Sequence, residues 1–282
     1  MTSHLKVDRI SPATGDTVII DGYTPDPDLV ATGGAISKSG MYKIHTFASS
    51  GVFEVTSGSA SVEFIIVAGG GGSAYSNDGS NYSGGGGAGG YISSVSGEKS
   101  GGGQESISPV FVSTNSYSVI VGAGGATANL IASNGNDSSA FGYTALGGGG
   151  GQSYTGTASS GGSGSGGGYS GYKKGSGTVG QGYSGGAGFY KGEYGNNAYG
   201  GGGGGAGGPG GDGILATGAG VGGIGVASQI TGSLVTYATG GVGHGNLGGG
   251  AGAAVADSRG NGANASGAKG GSGIVIIRYR II

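Results

Sequence analysis

The residues of this chain that could do chemistry are few, and most stand in the wrong pattern for it. There are three histidines. His4, His45 and His244 show none of the spacings that hold a metal or a catalytic pair, such as H-x-x-x-H or H-E-x-x-H. His45 falls in an alternating strand pattern and is expected at a surface or an edge. His244, in GGVGHGNLGG, is expected in a loop with a packing or solvent role. The acidic residues are scattered, and the close pair Asp26 and Asp28 stands in a proline-rich linker, so no carboxylate cluster for a divalent cation is expected. Cysteine is absent, which excludes disulfides and thiolate sites. Glycine motifs carry no weight: G-x-G-x-x-G and G-x-S-x-G recur by composition alone among 80 glycines, and no lysine completes a G-x-x-x-x-G-K-[ST] phosphate loop. The sequence predicts no enzyme, no metal and no cofactor.

The tyrosines point instead to contact chemistry. Of the 16 tyrosines, six fall between residues 169 and 199. This segment supplies Tyr169, Tyr172, Lys173, Lys174, Tyr183, Phe189, Tyr190, Lys191, Tyr194 and Tyr199. Tyr75 and Tyr82 stand in SAYSNDGSNYS, and Gln152, Ser153 and Tyr154 in QSYTGTASS. Tyrosine among Gly, Ser and Asn is the composition of binding loops: the ring offers a large contact area at low entropy cost, and the small residues let the loop adapt. The alternative is that these rings cover the flank of a glycine lattice with their hydroxyls in water. The segments 242–247 and 257–269 are weaker loop candidates.

The elements that must position these residues are set by glycine, 80 of 282 residues, about four times the ordinary share of roughly 7%. Only 5 prolines and no strict triplet exclude collagen. A formal charge of −2 argues against a disordered polyelectrolyte, and 12 basic against 14 acidic residues against a nucleic-acid coat. The start, MTSHLKVDRI, has no apolar run of signal-peptide length, and no stretch approaches the ~18 apolar residues of a membrane span. A soluble protein assembled inside a cell, without membrane insertion, is expected.

Strand-like blocks bracket the glycine. LKVDRI and TVIID lie in 4–22, and YTPDPDL then reads as a linker, so a boundary falls near residue 30. Residues 35–68 read as a three-strand meander over YKIHTF, VFEVTSG and SVEFIIVAGG. The third strand is apolar on both faces from Phe64 to Val67, which predicts cover on both sides. ISPVFV, SYSVIVGAGG and SSAFGYTALGG give strand character to 107–146, and GIVIIRYRII closes the chain at 273–282. A central strand there makes the glycine body an excursion between paired strands, and 62–68 is expected beside 274–280.

The tracts at 69–72, 84–90, 101–103, 147–151, 161–168, 200–208, 240–241 and 248–252 recur without a fixed period. Flexible linkers are one reading. The reading adopted is an all-β scaffold at 35–68, 107–146 and 273–282 carrying a polyglycine-II bundle over about 69–272. A polyproline-II-type helix has three residues per turn and no internal hydrogen bonds, so its backbone groups point outward. Such helices bond side by side only where no side chain holds them apart.

The runs YKIHTFASSGVFEVTSGSASVEFIIVAGGGGS, GGGGAGGYISS, SYSVIVGAGGA, SAFGYTALGGGGG and GGSGIVIIRY, in that order across about 41–280, resemble the glycine-rich domain of phage tail fibres and adhesins. LKVDRISPATGDTVIIDG resembles the short β segments that begin the fibre proteins of many marine phages. The chain is also similar in kind to the distal tail-fibre adhesins of T-even-like phages, in which a polyglycine-II bundle displays variable loops to a bacterial surface receptor. The resemblance implies a short tail fibre or fibre-tip adhesin of a virion. Residues 1–30 would attach it to other tail proteins, and 31–282 would form scaffold and body, as a homotrimer by family habit. Its partner would be a host polysaccharide or outer-membrane protein, with no nucleic acid. The runner-up is a purely structural virion part. An ice-binding polyglycine-II protein fits poorly, because the segments between tracts are long and irregular. A glycan depolymerase would need paired acids that meet only in the fold.

Overall fold

The computed structural model describes residues 29–75, 82–153, 157–168, 173–191, 198–244, 259–264 and 267–281. The attachment segment expected in 1–30 lies almost wholly outside them. The described chain is nearly all β, with a single 3-10 turn at Gly101–Gly103. Its strands are β1 (Val30–Thr32), β2 (Ala35–Ser39), β3 (Tyr42–Phe47), β4 (Gly51–Val67), β5 (Ala74–Tyr75), β6 (Tyr91–Ser93), β7 (Val110–Ile120), β8 (Ala128–Asn129), β9 (Ser138–Ala140) and β10 (Tyr143–Ala145). The remainder are β11 (Phe189–Tyr190), β12 (Ala198–Tyr199), β13 (Val226–Ser228), β14 (Val235–Tyr237) and β15 (Ile274–Arg280).

One nine-stranded sheet runs in the order β10-β9-β7-β4-β15-β3-β2, with β1 and β6 also paired to β4. The expected neighbours do meet: Ile274 lies opposite Val67 and Arg278 opposite Glu63, antiparallel. β15 has β3 on its other side, so it is central. Period-two alternation then splits the apolar run between two faces. Phe64, Ile66, Val275 and Ile277 enter one core cluster, while Ile65, Val67, Ile274 and Ile276 enter another. The cover expected on both sides is present.

Three expectations are corrected. VFEVTSG and SVEFIIV are not two strands of a meander but one 17-residue strand, β4. The Ser-Gly-Ser between them is a bulge, with a register shift between Val55 and Ser59 and Gly58 at φ +74; extra residues that include a left-handed glycine bend a strand without ending it. ISPVFV and SYSVIV likewise merge into β7, the partner of β4 along the same stretch. His45 is not at a surface or an edge. β3 lies between β2 and β15, and the ring is wholly buried.

The glycine tracts run side by side, joined by backbone hydrogen bonds with a three-residue period. From tract 84–90, Gly84, Gly87 and Gly90 donate to residues 152, 149 and 146; Gly85 and Ala88 donate to Gly201 and Gly204; Gly86 and Gly89 donate to Ala263 and Gly260. Its carbonyls accept from Ala68 and Gly71, from Ser163 and Gly166, and from Gly241. Three tracts therefore accept from its N–H groups and three others donate to its carbonyls, so it is encircled. Tract 200–206 is encircled in the same way. A Cβ on Gly85 would stand 2.1 Å from the Gly241 carbonyl oxygen, and one on Gly203 1.9 Å from that of Gly86. These contacts require glycine. Ala88 and Ala206 are tolerated because their methyls leave the array and join the apolar cluster of Tyr91, Ile230 and Tyr237 under the sheet.

Candidate functional site

Tracts that leave the sheet carry the chain to the end remote from it. Residues 68–73 follow β4 and reach β5, and 84–90 return to β6. Residues 121–127 lead from β7 to β8, and 132–137 return to β9. β5 and β8 pair in parallel at this tip, Tyr75 opposite Asn129. The turn ends are tied to one another. Leu130 N–H donates to the Tyr75 carbonyl at 2.9 Å, and Ser153 N–H to that of Leu130 at 2.9 Å. The Ser153 hydroxyl donates to the Tyr75 carbonyl at 3.1 Å. His244 N–H donates to Ser83, and Gly200 N–H to His244. Among the described residues, the ends of these connections are thus joined by hydrogen bonds.

Tyr75 is 37% exposed at this tip, and Gly267 approaches its ring, where an added Cβ would lie 3.4 Å from Cδ1. Tyr82, next to Ser83, is half-buried. Lys173, Lys174 and Lys191 are exposed, and Phe189 and Tyr190 are half-buried on β11, paired with β12. Tyr154, Tyr169, Tyr172 and Tyr194 lie outside the described residues. Two candidates are placed elsewhere. Tyr199 is 1% exposed and packs inside the array, so it presents no ring to a partner. Tyr183 sits at the sheet end: its N–H donates to Gly205, and its hydroxyl lies 2.8 Å from where a Cβ on Gly103 would be. Both stand close to glycine-rich stretches like the others, so composition does not separate them. Gln152 and Ser153 are buried and hold the tip together.

Sequence reasoning passed over Leu130 and Ile131, which are 45% and 57% exposed at the tip. Leu130 has φ +69, a backbone state costly for any side-chain-bearing residue. It also passed over a set of side chains that replace tract carbonyls. Asn134 Oδ1 accepts from Gly150 N–H at 2.8 Å, and Asp137 Oδ1 from Gly147 N–H at 2.7 Å. Asn261 and Asn264 accept in the same way from Thr239 and Val242. Donors and acceptors both step by three, the period of the tracts. The signal in the sequence is N-x-x-[DN] beside a glycine run.

Charge at the tip is modest. Asp212 spends one oxygen on the Ala187 N–H at 2.7 Å. Among the described residues, no group of three or more His, Cys, Asp or Glu could hold a metal ion. The groups with displaced proton affinity lie in the scaffold: burial pushes the hydroxyls of Tyr91, Tyr237 and Tyr279 up and the His45 imidazole down. A groove of about 400 Å³ beside Tyr117 and Phe141 also belongs to the sheet, where both rings pack against Phe53. Among the described residues no helix is long and apolar enough to cross a membrane.

Comparison with family models finds a glycine-rich domain over residues 46–280. No curated protein matches the chain.

Proposed function

Because the chain belongs to the glycine-rich domain family, we propose that it is a phage tail fibre or fibre-tip adhesin whose tip recognises a host cell-surface receptor. In this reading the tracts form a polyglycine-II bundle. What supports it is the three-residue period of the donors from Gly84 to Gly90, together with carbonyl contacts that leave no room for a Cβ. A lattice so constrained leaves the segments between tracts as the places where large side chains can stand.

The observation that carries the adhesin reading is the tie between Tyr75, Leu130 and Ser153, which fixes the described ends of neighbouring connections against one another. Rigid aromatic anchors bind with little ordering cost. Residues 1–30 join the fibre to other tail proteins of the virion. The assembly is a homotrimer, and several weak contacts per virion sum to firm attachment. No cofactor and no catalysis are invoked. The second reading, a fibre part that binds only virion proteins, draws on the burial of Tyr199 and the placement of Tyr183 away from the tip.

The test is binding of fluorescently labelled protein to a panel of bacterial hosts, with Tyr75→Ala/Tyr190→Ala and a variant whose 169–199 segment is replaced by glycine and serine. Binding by the intact protein and at least tenfold weaker binding by a folded variant supports the adhesin. Equal binding by all three moves the contact to other turns, and no binding across the panel favours the structural part.

A further inference from the structure

His45 ties the connection between β1 and β2 to the sheet. Its Nδ1–H donates to the Gly33 carbonyl at 2.7 Å. Gly33 and Gly34 form the connection between β1 and β2, at φ +105 and +63, and are pressed onto the sheet. A Cβ on Gly33 would lie 2.0 Å from the Val52 carbonyl oxygen, and one on Gly34 2.7 Å from that of Thr46. The ring is 0% exposed, stacks on Tyr279 at 5.7 Å and meets the Phe53 ring edge-on at 5.0 Å. With Nδ1 carrying the proton, Nε2 is a bare nitrogen, buried and without a hydrogen-bond partner among the described residues.

We propose that His45 is an acid-sensitive latch, holding residues 29–39 on the sheet at neutral pH and releasing them when the ring is protonated. A proton can enter only at Nε2, where it meets no acceptor and creates a buried charge. The groups around it do not compensate. β3 supplies Lys43, which donates to the Ala31 carbonyl at 3.2 Å; β2 supplies Lys38, opposite Lys43; β15 supplies the Tyr279 phenol and β4 the Phe53 ring. Glu54, beside Phe53, is exposed on the opposite face. Among the described residues the element that must yield stands at the margin of the sheet: β2 is the last strand of the order, and β1 pairs with β4 over three residues. Local opening can therefore hydrate the ring without loss of the glycine array.

The sign follows from the burial, which lowers the proton affinity of the ring in the closed state. The open state takes up its proton near pH 6.5, the closed state only below that. The latch is fully set above pH 6.5 and weakens as pH falls through that value, by up to about tenfold per pH unit for one proton.

Hydrogen exchange of the intact protein between pH 7.5 and 5.0, expressed as protection factors, tests this. Protection of 29–39 is expected to fall by tenfold or more, with 84–90 and 200–206 unchanged, and His45→Phe and His45→Gln are expected to abolish the pH dependence. Constant protection of 29–39 in the natural protein, or the same pH dependence in a folded variant, overturns the proposal. If neither variant folds, a nuclear magnetic resonance titration of His45 decides: a midpoint at or above 6.5 overturns the latch, and one below it sustains it.

Discussion

Ala88 donates its amide hydrogen to the carbonyl of Gly204 at 2.9 Å, while its methyl joins that of Ala206 in the apolar cluster beneath the sheet. The two encircled tracts are thus joined through backbone and keyed to the scaffold at the one position where each carries a side chain. Gly85→Ala would place a methyl 2.1 Å from a neighbouring carbonyl oxygen, against backbone that cannot move alone. It is expected to cost about 4 kcal/mol or more. Ala88→Gly should cost only about 1 kcal/mol. Thermal unfolding of the two variants checks the order.

Tyr199 and Tyr75 should separate packing from display. Tyr199→Ala removes a buried ring and is expected to destabilise by about 3 kcal/mol or more. Tyr75→Ala should shift stability by less than about 1 kcal/mol, since its ring is partly in solvent. Paired denaturation curves, read before any binding assay, establish which variant is a fair probe of the tip.

Glu63 and Arg278 form a part-buried ion pair, with Nε donating to Oε2 at 2.7 Å. Glu63 Oε1 also accepts from Ser96 N–H, and the guanidinium donates to the Gln229 carbonyl and lies 4.5 Å over the Tyr42 ring. Arg278→Lys cannot reproduce the planar fork, so it is expected to lose about 1–2 kcal/mol despite keeping the charge. Stability of this variant against salt checks the point: a part-buried pair changes little with ionic strength.

The carboxamides of Asn134 and Asn261 should each be worth about 1 kcal/mol, because their removal leaves Gly150 and Thr239 amides without the acceptor the array otherwise provides. The matching readout is local: faster hydrogen exchange at Gly150 in Asn134→Ala and at Thr239 in Asn261→Ala.

The scaffold was legible where side chains declare both faces. Phe64 to Val67 and Ile274 to Ile277 are apolar at every position, which fits only strands covered on both sides, and they proved to be partners. Legibility failed where one residue type serves two ends. Gly58 reads as a turn but bulges, because the partner strand β7 continues past it. His45 reads as polar and exposed, because alternation cannot reveal that β3 lies inside a sheet. The tip was legible as a set of tyrosine-bearing segments. Which tyrosine faces solvent was not, since neighbouring glycines carry no side chain to mark a face. The same silence hides which tract meets which.

Glu63 and Arg278 are 215 residues apart, and the strands that carry them are neighbours in the middle of the sheet. During synthesis at about 5–20 residues per second, β4 is made roughly 10–40 seconds before the strand that completes it. Throughout that interval Phe64 to Val67 present an unpaired edge while the glycine body is still being made. The central seam of the sheet is therefore its contact of longest sequence separation, the kind whose loop closure slows folding most.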